Sequence, residues 1–150
     1  MNILVTVGSS SFDALVKAVD EASKSFQNYN FTFQIGNGRY KPSNGDYFSF
    51  TEGFSGILDN ADLVITHAGA GTVFELLETG KKSIIVPNMD RIDKHQSDLA
   101  IYIEENNFAI VCKDIDSIAE QILEAENYHP KPYVKERFFL AEELVRIFSK

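Results

Sequence analysis

Three short runs decide most of what this chain can fold into: Ile3-Leu4-Val5-Thr6-Val7, Leu63-Val64-Ile65-Thr66 and Ser83-Ile84-Ile85-Val86. None of them alternates apolar with polar residues. A strand that is apolar on both faces must be covered on both, which is the condition of a parallel sheet lying between helical layers. Phe31–Ile35, Tyr47–Phe50 and Ala109–Cys112 read as further strands, giving about six in all. Helical spacing fills the intervals. Phe12, Leu15, Val16, Val19, Ala22 and Phe26 share one helix face. A short helix is predicted over Phe54–Asn60, another over Thr72–Thr79 closed by Gly80, and a third over Ile92–Asn106 with Leu99 and Ile103 inward. Asp114 is placed to cap a helix carrying Ile115, Ile118, Ile122 and Leu123. A last helix after Pro132 lines up Val134, Phe138, Ala141, Val145 and Phe148, with Phe139 and Leu144 beside them.

Strand–helix alternation of this kind gives an α/β, Rossmann-like, doubly wound and mostly parallel sheet. A length of 150 residues suits a single domain over 1–150. Ligands of such sheets sit at the carboxyl ends of the strands. The Gly-rich and polar loops 8–11, 36–46, 67–72 and 87–96 fall there.

Charge and residue usage narrow the function. A net charge of −8 argues against nucleic-acid binding, which needs clustered Lys and Arg. It leaves room for one bound nucleotide, because backbone N–H groups at a helix start can hold a diphosphate locally. The single cysteine, Cys112, excludes an internal disulfide and lies in a run that reads as buried strand, so a core thiol is expected. His67, His95 and His129 show no metal-ligand spacing, and Asp90, Asp93 and Asp98 lack the calcium-loop pattern, so no metal is expected. The stretch Met1–Gly8 has no basic region and too short an apolar run for a signal peptide, and no run approaches a membrane span. A cytoplasmic location follows as an expectation.

The segment His67-Ala68-Gly69-Ala70-Gly71-Thr72-Val73-Phe74-Glu75 is the strongest local signal. Glycines between a strand end and a helix start let backbone N–H groups approach an anion, aided by the helix dipole. Thr72 can add a hydroxyl, and Glu75, one turn on, a carboxylate for ribose hydroxyls. The same residues also suit a tight turn with Thr72 as N-cap and Glu75 completing a capping box. On the residues alone the two readings stand level. The run Pro87-Asn88-Met89-Asp90-Arg91-Ile92-Asp93-Lys94-His95-Gln96 is either a solvated loop with Asp93 as helix cap, the better reading in isolation, or a source of sugar contacts from His95 and Gln96. The first loop holds only Gly8, so the dinucleotide fingerprint is missing, and Gly80-Lys81-Lys82-Ser83 leads into a strand rather than a P-loop helix.

Taken in order, these clusters resemble the C-terminal, donor-binding half of glycosyltransferase family 28, a half of the GT-B architecture. Gly69, Gly71, Thr72, Glu75, Pro87 and Gln96 match its layout of Gly-rich turn, Thr, Glu, strand-ending Pro and downstream Gln. The opening Val5-Thr6-Val7-Gly8 with Phe12-Asp13-Leu15 is similar to the stand-alone members of that group. Those are the small donor subunits of the dolichol-linked chitobiose transferase and the second proteins of paired bacterial capsular and exopolysaccharide transferases. The resemblance implies a UDP-sugar donor (N-acetylglucosamine, galactose or glucose) and no cofactor. Glu75 would hold the ribose. Gly69, Ala70, Gly71 and Thr72 would face the diphosphate with His67 nearby, His95 and Gln96 would contact the sugar, and the loop Gly8–Ser11 (Gly8 and Ser9 foremost) would close over the phosphates.

No confident catalytic residue is assigned to this chain. The implied activity is transfer of a hexose or N-acetylhexosamine to a lipid-linked sugar in polysaccharide or oligosaccharide biosynthesis. It would require a membrane-anchored, acceptor-binding partner subunit, through which this chain would sit at the membrane. The apolar stripe of the last helix either covers the sheet or meets that partner. The competing expectation is a non-catalytic partner that only enhances a membrane-bound transferase.

Overall fold

The computed structural model describes residues 1–88 and 94–133. The expected last helix, with Val134, Phe138, Phe139, Ala141, Leu144, Val145 and Phe148, and the expected Asp93 cap lie outside the described residues. Six strands form one sheet: β1 (Asn2–Thr6), β2 (Asn30–Gln34), β3 (Asp46–Phe48), β4 (Leu63–His67), β5 (Ser83–Val86) and β6 (Ile110–Val111). Their order is β3-β2-β1-β4-β5-β6, and every pairing is parallel. The order reverses between β1 and β4, so their carboxyl ends open the crevice in which doubly wound sheets hold ligands.

Both faces are covered, as the non-alternating runs require. On one face Ile3, Val5, Val7, Leu63 and Ile65 pack against Leu15, Val16 and Val19 of α1 (Asp13–Ser23) and Ile118 and Ile122 of α5 (Ile118–Glu126). On the other, Leu4 and Val64 meet Leu58 of α2 (Phe54–Asn60) and Leu76 of α3 (Ala70–Glu78). Ile85 lies under α3 and α4 (Lys94–Glu105) through Val73, Leu77, Leu99 and Ile103. Asp114 caps as expected, its carboxylate accepting from the Asp116 N–H at 3.0 Å, but the first turn it caps is a 3-10 turn (Ile115–Ser117) ahead of α5. Cys112 is a buried free thiol that donates to the Asp114 carbonyl at 3.1 Å, and burial pushes its pKa up.

The connection from β2 to β3 contains no helix. It is instead pinned to α1 by two carboxylates. Asp13 accepts from the N–H groups of Arg39 and Tyr40. Asp20 is 2% exposed and accepts from the Tyr40 hydroxyl at 2.6 Å, from the N–H of Ser43 and Asn44, and from the Asn44 side-chain amide. Burial pushes the Asp20 pKa upward, but these donors outweigh it and hold the carboxyl below its ordinary range. The same contact pushes Tyr40 up to about 12, its hydrogen bond to Asp20 being the largest cause. The signs give opposite edges. An unfolded tyrosine ionises near pH 10, so between roughly pH 10 and 12 the unfolded chain holds fewer protons than the folded one and stability falls with rising pH. On the acid side, stability present above the unfolded carboxyl pKa is lost as pH falls through the lowered pKa of Asp20. Urea midpoints at about pH 9 and about pH 11.5 are expected to differ more for wild type than for Tyr40→Phe. Equal differences in the two proteins would refute the assignment.

Candidate functional site

The site is built where β1 and β4 end. Gly69 is extended (φ −78, ψ 126), and its carbonyl accepts the first helical bond of α3 from the Val73 N–H at 3.0 Å. The helix therefore begins at Ala70 and not at Thr72 as the sequence suggests. Ala70 is a good helix former, and its methyl packs onto the core under α3. This start removes the capping-box alternative. Thr72 is the third helical residue, no side chain caps the helix, and Glu75 lies exposed in the second turn. The N–H groups that an α-helix leaves without internal partners are then those of Gly69, Ala70, Gly71 and Thr72. Among the described residues nothing accepts from any of the four. They carry the positive end of the helix dipole.

His67 ends β4 and lies between the two glycine turns. A Cβ on Gly69 would come within 2.5 Å of the His67 ring, and one on Gly8 within 3.4 Å of its Nε2. The ring contact thus favours a glycine at 69, while Gly8 itself sits at φ +66. Burial lowers the His67 pKa, partly opposed by the hydrogen bond it makes with the Val7 backbone. The ring is accordingly neutral at pH 7, with one nitrogen donating to the Val7 carbonyl and the other an acceptor.

The loop after β1 is strapped down. The Ser10 hydroxyl donates to the Val7 carbonyl at 2.9 Å, the Asn37 N–H to the Ser10 carbonyl and the Asn37 side-chain amide to the Ser9 carbonyl, both at 3.2 Å. Gln34, 4% exposed, reaches the same loop from β2. Its Oε1 accepts from the Thr6 hydroxyl (2.6 Å) and from the N–H groups of Val7 and Gly8 (3.0 Å each). Its Nε2 donates to the carbonyls of Gly8 and Ser49 (2.8 Å each).

A cleft of about 140 Å³ opens beside this loop, lined by Ser10, Ser11, Phe12, His67, Asn88 and Gln96. Of the residues singled out in the sequence, the fold brings His67 and Gln96 together there, beside the loop that begins with Gly8 and Ser9. Gly69 to Thr72 border the same strand end. His95 is half-buried next to Gln96 in the first turn of α4. Glu75 and Thr72 do not line the cleft. The residues that sequence reasoning missed are Phe12, Asn88 and Gln34. Pro87-Asn88 at a strand end gave some signal, whereas Gln34 gave none, because its burial follows from the Thr6↔Gln34 register. Among the described residues no group of His, Cys, Asp and Glu is placed to hold a metal, and no helix is long and apolar enough to cross a membrane.

Comparison with known proteins gives the same architecture. Residues 2–145 match the model of the glycosyltransferase family 28 C-terminal domain. The chain is 36% identical over 123 residues to the human UDP-N-acetylglucosamine transferase subunit ALG13, covering 73% of this chain and 11% of that protein. It is 35% identical over 124 residues to the UDP-N-acetylglucosamine–N-acetylmuramyl-(pentapeptide) pyrophosphoryl-undecaprenol N-acetylglucosamine transferase of Idiomarina loihiensis, covering 74% of this chain and 34% of that one. The chain thus spans about a tenth to a third of these relatives. Among solved structures, Acinetobacter baumannii MurG superposes with a TM-score of 0.69 at 24% identity, over 99% of this chain and 45% of that one. The solution structure of ALG13 superposes with a TM-score of 0.61 at 19% identity, over 99% and 96%. At these identities the superpositions speak for the fold, which is the C-terminal half of a GT-B enzyme.

Proposed function

Because this chain belongs to the glycosyltransferase family 28 C-terminal domain family, we propose that it is the donor-binding subunit of a two-component glycosyltransferase that uses a UDP-sugar. The observation that carries the reading is the row of four N–H groups, Gly69 to Thr72, at the start of α3 and next to the Gly8 loop, which have no acceptor among the described residues. They form an anion site at the switch point of the sheet. In sugar transfer, negative charge grows on the departing diphosphate. Fixed N–H dipoles aimed at it stabilise that charge without reorganising, which is an electrostatic contribution to the rate. Thr72 adds a hydroxyl to the same patch. Glu75, exposed one turn further along α3 and without a partner among the described residues, accepts the ribose hydroxyls. The cleft shared by Gln96 and His67 receives the sugar, with His95 beside Gln96.

The names of the relatives support N-acetylglucosamine as the sugar. One of those relatives is itself described as a subunit, which supports an acceptor-binding partner. The partner would bring the lipid-linked acceptor and the membrane anchor, with this chain peripheral to the cytoplasmic face. Ligand that binds the folded state alone raises the melting temperature. UDP and UDP-N-acetylglucosamine are therefore expected to raise Tm by a few degrees in wild type, and Glu75→Ala to reduce UDP affinity about tenfold or more. No shift with any of UDP, UDP-N-acetylglucosamine, UDP-galactose and UDP-glucose would overturn the donor reading. Undiminished transfer by Glu75→Ala in the reconstituted pair would instead mark the chain as a non-catalytic enhancer.

A further inference from the structure

We infer that Gln34, assisted by Asn37, is a positioning residue that fixes the loop Gly8–Ser11 in its phosphate-facing shape before donor arrives. The inference rests on the donor reading above and deepens it. A loop that folded over phosphates only after binding would need slack. This one has little. The five hydrogen bonds of the Gln34 amide use both of its ends and reach Thr6, Val7, Gly8 and Ser49. The amide is buried, so each bond is made in surroundings where an unmet partner is costly.

The two ends do different work. Oε1 gathers the N–H groups of Val7 and Gly8, which turns the chain sharply at the strand end. Nε2 ties the Gly8 carbonyl to the Ser49 carbonyl, so the loop after β1 is joined to the segment after β3 across β2. Asn37 adds the outer strap, holding Ser9 and Ser10. Gln34 does not line the cleft. Its effect reaches the donor only through backbone it holds in place, and a pre-ordered loop binds with less entropy loss.

The test compares UDP with uridine, because the loop serves phosphates and uridine has none. Gln34→Met keeps length and removes all five bonds. Asn37→Ala removes the side-chain bond to the Ser9 carbonyl, keeps the backbone bond to Ser10, and spares the core should Gln34→Met fold poorly. Binding is measured by NMR titration well below Tm, with amide hydrogen exchange at Gly8 as a second readout. Expected are a rise in Kd for UDP of about tenfold in Gln34→Met and about threefold in Asn37→Ala, an unchanged Kd for uridine, and faster exchange at Gly8. Equal weakening of both ligands would indicate general loosening and overturn the inference, as would UDP affinity that neither variant changes. If wild type binds neither ligand, the donor reading falls by itself. Exchange at Gly8 then still decides whether Gln34 fixes the loop, and an unaltered rate refutes it.

Discussion

Gly36→Ala is expected to lower the unfolding free energy by about 2–4 kcal/mol and to weaken UDP binding about tenfold. Gly36 sits at φ +57, where an L side chain is strained. A Cβ built there would stand 2.1 Å from the Ser10 carbonyl oxygen and 3.1 Å from that of Gly8. Both are backbone atoms, so no rotamer change relieves the contact. Either β2 or the loop after β1 must retreat. The loop is the softer of the two, and its retreat breaks the bond from the Asn37 N–H to Ser10. Stability and binding should therefore fall together. Urea midpoints and a calorimetric titration with UDP check this, and a variant with wild-type values in both would show that the loop is not held against β2 as described.

Gly71→Gln should separate the two properties. A Cβ at Gly71 meets nothing within 4 Å, and the residue is exposed in the first turn of α3. Packing among the described residues places no demand for glycine there, and glutamine favours a helix over glycine by a few tenths of a kcal/mol or more. Tm is expected to hold or rise slightly. Donor binding is expected to fall at least about tenfold, because the side chain would stand over the N–H groups proposed to face the diphosphate. A fall in Tm with intact binding would reverse the assignment of this glycine from ligand to fold.

The contrast between these two glycines shows how much of the molecule the sequence made legible. Strands and helices were readable because their signals are local. Ser83–Val86 and Phe54–Asn60 fall where periodicity and punctuation put them. The start of α3 was misplaced by two residues because Thr72 looks like a cap. The real N-cap, Gly69, has an extended backbone that lies against the His67 ring two residues earlier, a conformation that the residue types alone do not announce. The site was legible in part for the same reason. His67, the Gly69–Thr72 turn and Gln96 carry family-like spacing, so they could be found in order along the chain. Gln34 and Asp20 could not. In sequence, one is a polar residue near a strand end and the other a charge in a helix, ordinarily solvent-facing. Only the register of β1 with β2 buries the first, and only the helix-free β2–β3 connection covers the second.

Cys112 offers a practical opening. Its sulfur lies under α5 with no surface of its own, bonded to the Asp114 carbonyl and with its ionisation suppressed by burial. Thiolate is the species that maleimides attack, so the natural thiol stays dark to them while the protein is folded. A cysteine introduced at exposed Ser9 would then take a fluorophore alone, without first stripping the chain of its own sulfhydryl. The label would ride on the very loop proposed to meet the donor, turning occupancy into a colour change followed in real time.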